Sequence, residues 1–165
     1  GKAKMPEFSH FSAEGEVRMV DVGGKPSTRR LARAEGRVLM QPETLRLIRD
    51  RGVLKGDVLE TARLAGILGA KQTPSLIPLC HSLLLESVSL RFSFPDERTI
   101  LVEAEVAAEG RTGVEMEALT AVSTACLTIY DMTKSADRGM EISGIRLLEK
   151  SGGRSGHYLR GSEKV

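Results

Sequence analysis

The pattern of apolar and polar positions divides this chain into predicted strands and helices. Most of the strands show alternation, and two long segments show a helical spacing instead. Between Arg30 and Met40, small or apolar side chains occupy every second position and charged ones lie between them, which is typical of a half-buried strand. Segments of good helix formers begin near Asp57 and Val114. The predicted strands cover residues 16–22, 30–40, 83–94, 99–108 and 140–150, and the predicted helices cover 42–51, 57–71 and the segment from 114 onwards.

The order of these elements predicts the fold class. From residue 30 to residue 150 the order is strand, helix, strand, strand, helix, strand, which is the split βαβ pattern of ferredoxin-like folds. We therefore expect an α+β protein whose antiparallel sheet carries its helices on one face. Pro74 and Pro78 are expected to hold residues 73–82 outside regular structure. We expect a flexible arm over 1–15, a single domain over 16–157 and a polar tail over 158–165.

The helix that begins near Val114 has an unusual second face. Its apolar residues recur at a helical spacing and predict a stripe that faces the core, at Leu119, Val122, Cys126 and Ile129. The other face is small and uncharged, with Thr120, Ala121, Thr124 and Thr128. Because a solvated face normally carries Lys and Glu, the small face predicts close packing against another backbone, a subunit or a ligand.

Charged residues of this helix are confined to its ends. Glu115 and Glu117 lie at its start, and Asp131 and Lys134 at its finish. The fourteen residues from Glu117 to Asp131 span roughly 21 Å of helix, which is too long for one small-molecule site. Either there are two sites, or one site is built between chains that contribute opposite ends. Stabilisation of the helix dipole is the alternative for the glutamates and the lysine, but a carboxylate near a C-terminus is unfavourable.

Composition limits the classes of function. The 165 residues fit one domain, and 24 basic against 22 acidic residues give a net charge of +2, which argues against a dedicated nucleic-acid surface. Neither an apolar run near 18 residues nor a signal-peptide pattern is present, so we expect no membrane span. Cys80 and Cys126 are interpreted as free thiols of a reduced, cytoplasmic protein.

Three further segments carry candidate chemistry. His81, beside Cys80, could serve acid–base chemistry, bind an anion or make a structural hydrogen bond, and the pair alone is weak evidence for a metal. The segment KSGGRSG at 150–156 offers Lys150 and Arg154 to a phosphate, although a surface loop is an alternative. Lys55 precedes a helix and could contact an anion or simply be solvated. Together with the charged helix ends, these residues suit a polar, anionic small substrate that needs several proton transfers.

Several stretches together resemble a known family. They are MVDV at 19–22, KGDVLETARLAGILGAK at 55–71, LIPLCHSL at 76–83, GRTGVEMEALTA at 110–121, IYDMTK at 129–134 and LLEKSGGRSG at 147–156. The chain is similar here to the molybdenum cofactor biosynthesis protein C family, whose members are cyclic pyranopterin monophosphate synthases. The resemblance extends from about residue 10 to residue 157.

The resemblance implies a lyase of molybdenum cofactor biosynthesis. It would convert (8S)-3',8-cyclo-7,8-dihydroguanosine 5'-triphosphate, made by a radical-SAM GTP cyclase, into cyclic pyranopterin monophosphate and pyrophosphate. It also implies a ferredoxin-like fold and a homohexamer, a trimer of dimers with sites at the dimer interfaces. We expect no cofactor and no metal. The alternative is a non-catalytic nucleotide or pterin binder, or a scaffold of the same pathway.

The resemblance also implies roles for individual residues. Asp131 matches the acid–base aspartate of the family and Lys134 its neighbouring catalytic lysine. The expected substrate-binding residues are Lys55, Leu79, Cys80, His81, Glu115, Met116, Glu117 and Lys150. Two departures from the family pattern are Ser82, where proline is usual, and Arg154, where lysine is common; arginine and lysine differ in phosphate geometry.

Overall fold

Eight elements follow one another in a computed structural model that describes residues 8–50, 57–154 and 156–162. In the described residues from 28 to 151 the strands and helices follow the predicted order, and one short strand is added at the end. The strands are β1 (Thr28–Leu39), β2 (Leu85–Asp96), β3 (Thr99–Gly110), β4 (Glu141–Ser151) and β5 (Tyr158–Leu159). The helices are α1 (Pro42–Arg49), α2 (Val58–Leu76) and α3 (Glu115–Thr133).

The strands form one sheet in the order β2-β3-β1-β4-β5, and every neighbouring pair is antiparallel. The first four strands have the ferredoxin-like order, and helices pack on the sheet, so the predicted α+β class is confirmed. The residues of β5 pair with Glu149 and Lys150. The hydrophobic pattern does not predict β5, because two residues are too few to show a period.

The core lies between the sheet and α3, which is buried along much of its length. Val122, Cys126 and Ile129 are fully buried, as the stripe predicts, whereas Leu119 is only partly buried. Opposite them in β1, Gly36 leaves room for this helix, since a Cβ there would lie 2.6 Å from Cγ1 of Val122. An alanine at residue 36 would therefore push helix and strand apart.

The small face of α3 packs against α2. A Cβ added at Gly66 would lie 3.1 Å from the Ala121 carbonyl oxygen, and one at Gly69 would lie 2.9 Å from Cβ of Thr124. Thr124 donates its hydroxyl to the Thr120 carbonyl at 2.7 Å, so this partly buried hydroxyl has an acceptor within the helix. The small face was predicted to pack against another backbone, a subunit or a ligand, and the structure shows that it packs against the backbone of α2.

Two local predictions are wrong. Helix α2 continues through Pro74 to Leu76, with Ile77 N donating to the Thr73 carbonyl at 2.9 Å. Pro74 lies in the last turn, where its missing N–H removes one bond from a helix that is about to end. The strand predicted at 16–22 is reduced to one bridge between Phe11 and Val17. The sheet edges are held by β2 and β5, and a local pattern cannot identify a pairing partner.

We predict that Gly69→Ala lowers the free energy of unfolding by about 1–2 kcal/mol, because overpacking against Thr124, at up to about 3 kcal/mol, exceeds the gain in helix propensity of about 1 kcal/mol. Urea denaturation at a fixed protein concentration measures the change. Gly24→Ala, at a loop position where an added Cβ meets nothing within 4 Å, is the control and should shift stability by less than about 0.5 kcal/mol. Equal stability of Gly69→Ala and the native chain would contradict the close approach of α2 and α3.

Candidate active site

A cavity of about 370 Å³ opens where the start of β1, the start of α3 and the end of β4 meet. Its described lining carries four basic side chains and one acidic side chain, so it favours an anionic ligand. The lining residues are Lys25, Pro26, Thr28, Arg30, Thr112, Gly113, Glu115, Lys150, Gly153 and Arg154.

The sheet register brings these distant segments together. Thr28 at the start of β1 lies opposite Gly110 at the end of β3, and Leu31 lies opposite Ser151 at the end of β4. Because β3 leads directly into α3, the first turn of that helix lies at the same end of the sheet. The antiparallel pairing therefore places Lys150 and Glu115 in one cavity.

Glycines bring the segment after β4 close to β1. Gly152 and Gly153 have positive φ angles, 103° and 74°, which side chains rarely adopt. A Cβ at Gly152 would collide with the Arg29 carbonyl oxygen, and one at Gly153 with the Arg30 guanidinium. The backbone thus lies directly on β1, and Lys150 and Arg154, predicted to contact a phosphate, both line the cavity.

An ion pair occupies the floor of the cavity. Lys150 Nζ lies 3.0 Å from Glu115 Oε1, and both side chains are about three-quarters buried. The carboxylate balances one of the four positive charges of the lining. An anion that entered the cavity would find the other three available, together with an ammonium group already fixed in place.

Glu117 is deeply buried two residues further along α3 and faces a different partner. Its residue is 2% exposed, and its Oε1 lies 3.9 Å from the Cys80 thiol. Glu115 and Glu117 therefore diverge, as expected for a helical first turn. Burial, opposed in part by a bond to its own backbone N–H, raises the pKa of Glu117 to about 7, and the nearby Glu115 charge adds to the rise. Burial likewise raises the pKa of Cys80, and Glu117 raises it further.

Two buried polar atoms lack a hydrogen-bond partner among the described residues. They are Oε2 of Glu117 and the hydroxyl of Thr28, which lines the cavity. A buried oxygen left without a partner costs about 1–3 kcal/mol, so each of these two atoms favours a hydrogen bond with water or with a polar ligand.

The loop between α2 and β2 carries Leu79, Cys80 and His81, all of them partly buried. Leu79 has φ 62°, the left-handed conformation that residues other than glycine rarely adopt. Backbone strain of this kind persists where the surroundings hold it and is common at ligand-binding loops. Cys80 joins this loop to the start of α3 through Glu117, and the exposed Met116 lies in the same helical turn.

Asp131 and Lys134 lie at the other end of α3 and do not join this group. Lys134 Nζ bonds Asp131 Oδ1 at 2.7 Å on an exposed surface, and the hydrogen bond and charge of Asp131 raise the pKa of Lys134. The separation expected from helix length is thus present. Lys55 lies outside the described residues.

Lys25, Thr28 and Arg30 are cavity residues that sequence reasoning missed. Arg30 occupies the same side of β1 as Ala32 and Ala34, which are fully buried, and it donates from Nε to the Gly110 carbonyl at 3.1 Å. The sequence did contain one sign of this site: an arginine on the core-facing side of a strand. A buried cation needs a partner or a ligand, so such an arginine indicates a binding site or a buried ion pair.

Neither a metal-binding cluster nor a membrane-spanning helix is found among the described residues. No group of three or more His, Cys, Asp or Glu residues there is arranged to hold a metal ion, and metal independence stays a prediction. No helix there is long and apolar enough to cross a membrane.

Fold and site together define a ferredoxin-like α+β protein with a cationic cavity next to a protonatable carboxyl–thiol pair. The sequence model of the MoaC family matches residues 19–153, and the chain belongs to that family. A cyclic pyranopterin monophosphate synthase from Methylobacterium sp. (strain 4-46) is 62% identical over 156 residues, covering 93% of this chain and 97% of the relative. Proteins of the same name from Syntrophomonas wolfei and Heliobacterium modesticaldum are 58% and 56% identical, covering 93% and 94% of this chain and 98% and 99% of the relatives.

We predict that ionisation of Glu117 destabilises the fold as pH rises. The unfolded carboxyl ionises near its ordinary pKa of 4.5, whereas the native one ionises at about 7, so its stabilising effect is complete below 4.5 and is lost as pH rises through 7. Between these values the native chain should lose up to about 3 kcal/mol more of its free energy of unfolding than Glu117→Gln. Urea denaturation across this pH range measures the difference.

The matched control for this titration is Glu141→Gln, which changes an exposed glutamate at the start of β4. It should keep the pH dependence of the native chain. The same pH dependence in Glu117→Gln and in the native chain would show that Glu117 is already ionised at pH 4.5–7.

Proposed function

We propose that this chain is a cyclic pyranopterin monophosphate synthase, a lyase that converts the cyclised dihydro-GTP derivative into cyclic pyranopterin monophosphate and pyrophosphate. The observation that carries the proposal is the cavity with its four basic side chains beside the buried Glu117 carboxyl. A substrate with a triphosphate and a purine-derived ring needs cations at one end and neutral polar groups at the other. Relatives at 56–62% identity over nearly the whole chain carry this name.

The phosphate end of the substrate is assigned to the basic residues of the cavity. Lys150 and Arg154 border the segment after β4, and Arg30 is held by its bond to the Gly110 carbonyl. Bidentate arginine contacts and point-charge lysine contacts stabilise phosphate oxygens and the pyrophosphate that leaves. His81 and Lys55 belong to the same pocket in this proposal.

The polar ring of the substrate is assigned to the other group. Burial raises the pKa of Glu117 to about 7 and also raises the pKa of Cys80, so each can offer a proton to a ring nitrogen or oxygen. The orphaned Oε2 of Glu117 gains a partner when the ring binds. Leu79, Met116 and Glu115 complete the walls. Asp131 and Lys134 exchange protons as the ring opens and the pterin forms.

Asp131 and Lys134 act in this proposal on a cavity of a second chain. The length of α3 supports this arrangement, since the two ends cannot meet on one small ligand. Leu64, Leu68 and Leu127 are exposed on the outer surfaces of α2 and α3, and Leu127 is 60% exposed. Exposed leucines on adjacent helices favour contact with another chain. The proposed assembly is a homohexamer, a trimer of dimers, with sites at the dimer interfaces and a cytoplasmic location alongside the radical-SAM GTP cyclase.

The synthase proposal is tested by incubating the native chain with enzymatically prepared cyclised dihydro-GTP, followed by assays of pyrophosphate and of the oxidised, fluorescent pterin. We expect both products from the native chain and a loss of at least about 100-fold in rate in Lys134→Ala, because a positioned proton donor contributes that much. Arg46→Ala, which breaks an exposed pair with Glu43 at the same helical spacing, should keep full activity. Bound but unchanged substrate would instead support the non-catalytic binding module.

The shared site is tested by complementation. Glu117→Gln and Lys134→Ala, each inactive alone, are unfolded together and refolded as a mixture. If each site takes opposite helix ends from two chains, the mixture should regain about a quarter of the native rate, since half of the random pairs are mixed and each holds one intact site. A site contained in one chain predicts no recovery. Glu117→Gln mixed with itself is the control.

A further inference from the structure

A charged cluster on the sheet face opposite the helices joins three segments at the end where the cavity lies. The Glu149 carboxylate in β4 accepts a hydrogen bond from Arg33 Nε in β1 at 2.7 Å. Its other oxygen lies 2.9 Å from Nε2 of His157, which immediately precedes β5. Glu149 therefore uses both oxygens to connect β1, β4 and the segment that returns to β5.

The cluster and the cavity are connected through the backbone of β4, because Glu149 belongs to the cluster and the next residue, Lys150, lines the cavity. Successive side chains of a strand point to opposite faces. Glu149 lies opposite Arg33 in the sheet register, whereas Lys150 lies opposite the fully buried Ala32 and bonds Glu115 inside the cavity. Any constraint on Glu149 is consequently a constraint on the ammonium group of the next residue.

The segment that follows is held at both ends. Lys150 pairs with Tyr158 in the β4–β5 ladder, so the chain leaves the sheet after Ser151 and returns beside Lys150. Between these points Gly152 and Gly153 lie on β1 and Arg154 borders the cavity. The bond between His157 and Glu149 holds the returning segment to β4 on the sheet face opposite the helices.

We propose that His157 is a positioning residue for anion binding: through Glu149 it holds the end of β4 and the glycine-containing segment so that Lys150 and Arg154 stay directed into the cavity. His157 itself faces away from the cavity and acts only through its carboxylate partner. The inference rests on the proposed function, in which the anion is the triphosphate of the substrate and pyrophosphate is a product.

The expected effect is modest because the bond is on the surface. His157 has a side chain that is 55% exposed, and exposed pairs of this kind contribute little. Loss of the pair should weaken anion binding about two- to fivefold, which is the equilibrium change that corresponds to an exposed pair. The effect should fall on KM, since His157 touches no reacting group, and kcat should stay near the native value.

The experiment compares His157→Ala with His157→Gln, which keeps a side-chain N–H for Glu149. Isothermal titration with inorganic pyrophosphate measures anion binding without requiring turnover, and steady-state pyrophosphate release gives KM and kcat. Arg91→Ala is the matched control, because it breaks the 2.7 Å pair with Glu103 on the same sheet face but on other strands. Thermal unfolding of each variant verifies that all are folded at the assay temperature.

Weaker pyrophosphate binding and a raised KM in His157→Ala, with recovery in His157→Gln and no change in Arg91→Ala, would support the positioning role. Unchanged pyrophosphate affinity in His157→Ala would overturn it, as would an equal loss in Arg91→Ala. If the native chain binds pyrophosphate but makes no pterin, the proposed function fails while the titration still decides the role of His157.

Discussion

The close approach of α3 to both α2 and β1 is the constraint on which the rest of this structure depends. Gly36 in β1 and Gly66 and Gly69 in α2 remove the side chains that would separate these elements. Small residues on α3 complete the contact, so the helix is enclosed by protein on two sides. A helix held so tightly has little freedom to slide or tilt, because packed interiors do not deform continuously.

Fixing α3 also fixes the chemistry at its two ends. Its first turn carries Glu115 towards Lys150 and Glu117 towards Cys80, two different partners on two different sides. Its last turn carries Asp131 and Lys134 to an exposed surface. The middle of the helix packs through small residues against α2 and β1. This division explains why charge is absent from the centre of the helix and present at both ends.

Sequence periodicity predicted those elements whose buried and exposed faces follow from the local order of side chains. The stripe through Val122, Cys126 and Ile129 and the order of strands and helices needed only the period of the side chains and the position of breakers. The cavity could not be predicted in the same way, because Arg30 and Lys150 come together only through the register of β1 with β4. The strained backbone at Leu79 likewise depends on tertiary contacts that no local pattern records.

The charge of the cavity depends on two glutamates at the start of α3, of which Glu115 pairs with a cation and Glu117 is buried. Glu115 stays near Lys150 at the cavity floor, where its negative charge offsets one cation without ligand. Glu117 forms an ion pair with no cation among the described residues, and burial raises its pKa to about 7. A second ionised carboxylate here would repel a polyphosphate and reduce the attraction of the basic side chains. In the proposed site, the basic side chains of the cavity therefore contact phosphate, and Glu117, with its pKa of about 7, keeps a proton below that pH and can donate a hydrogen bond to an uncharged ring.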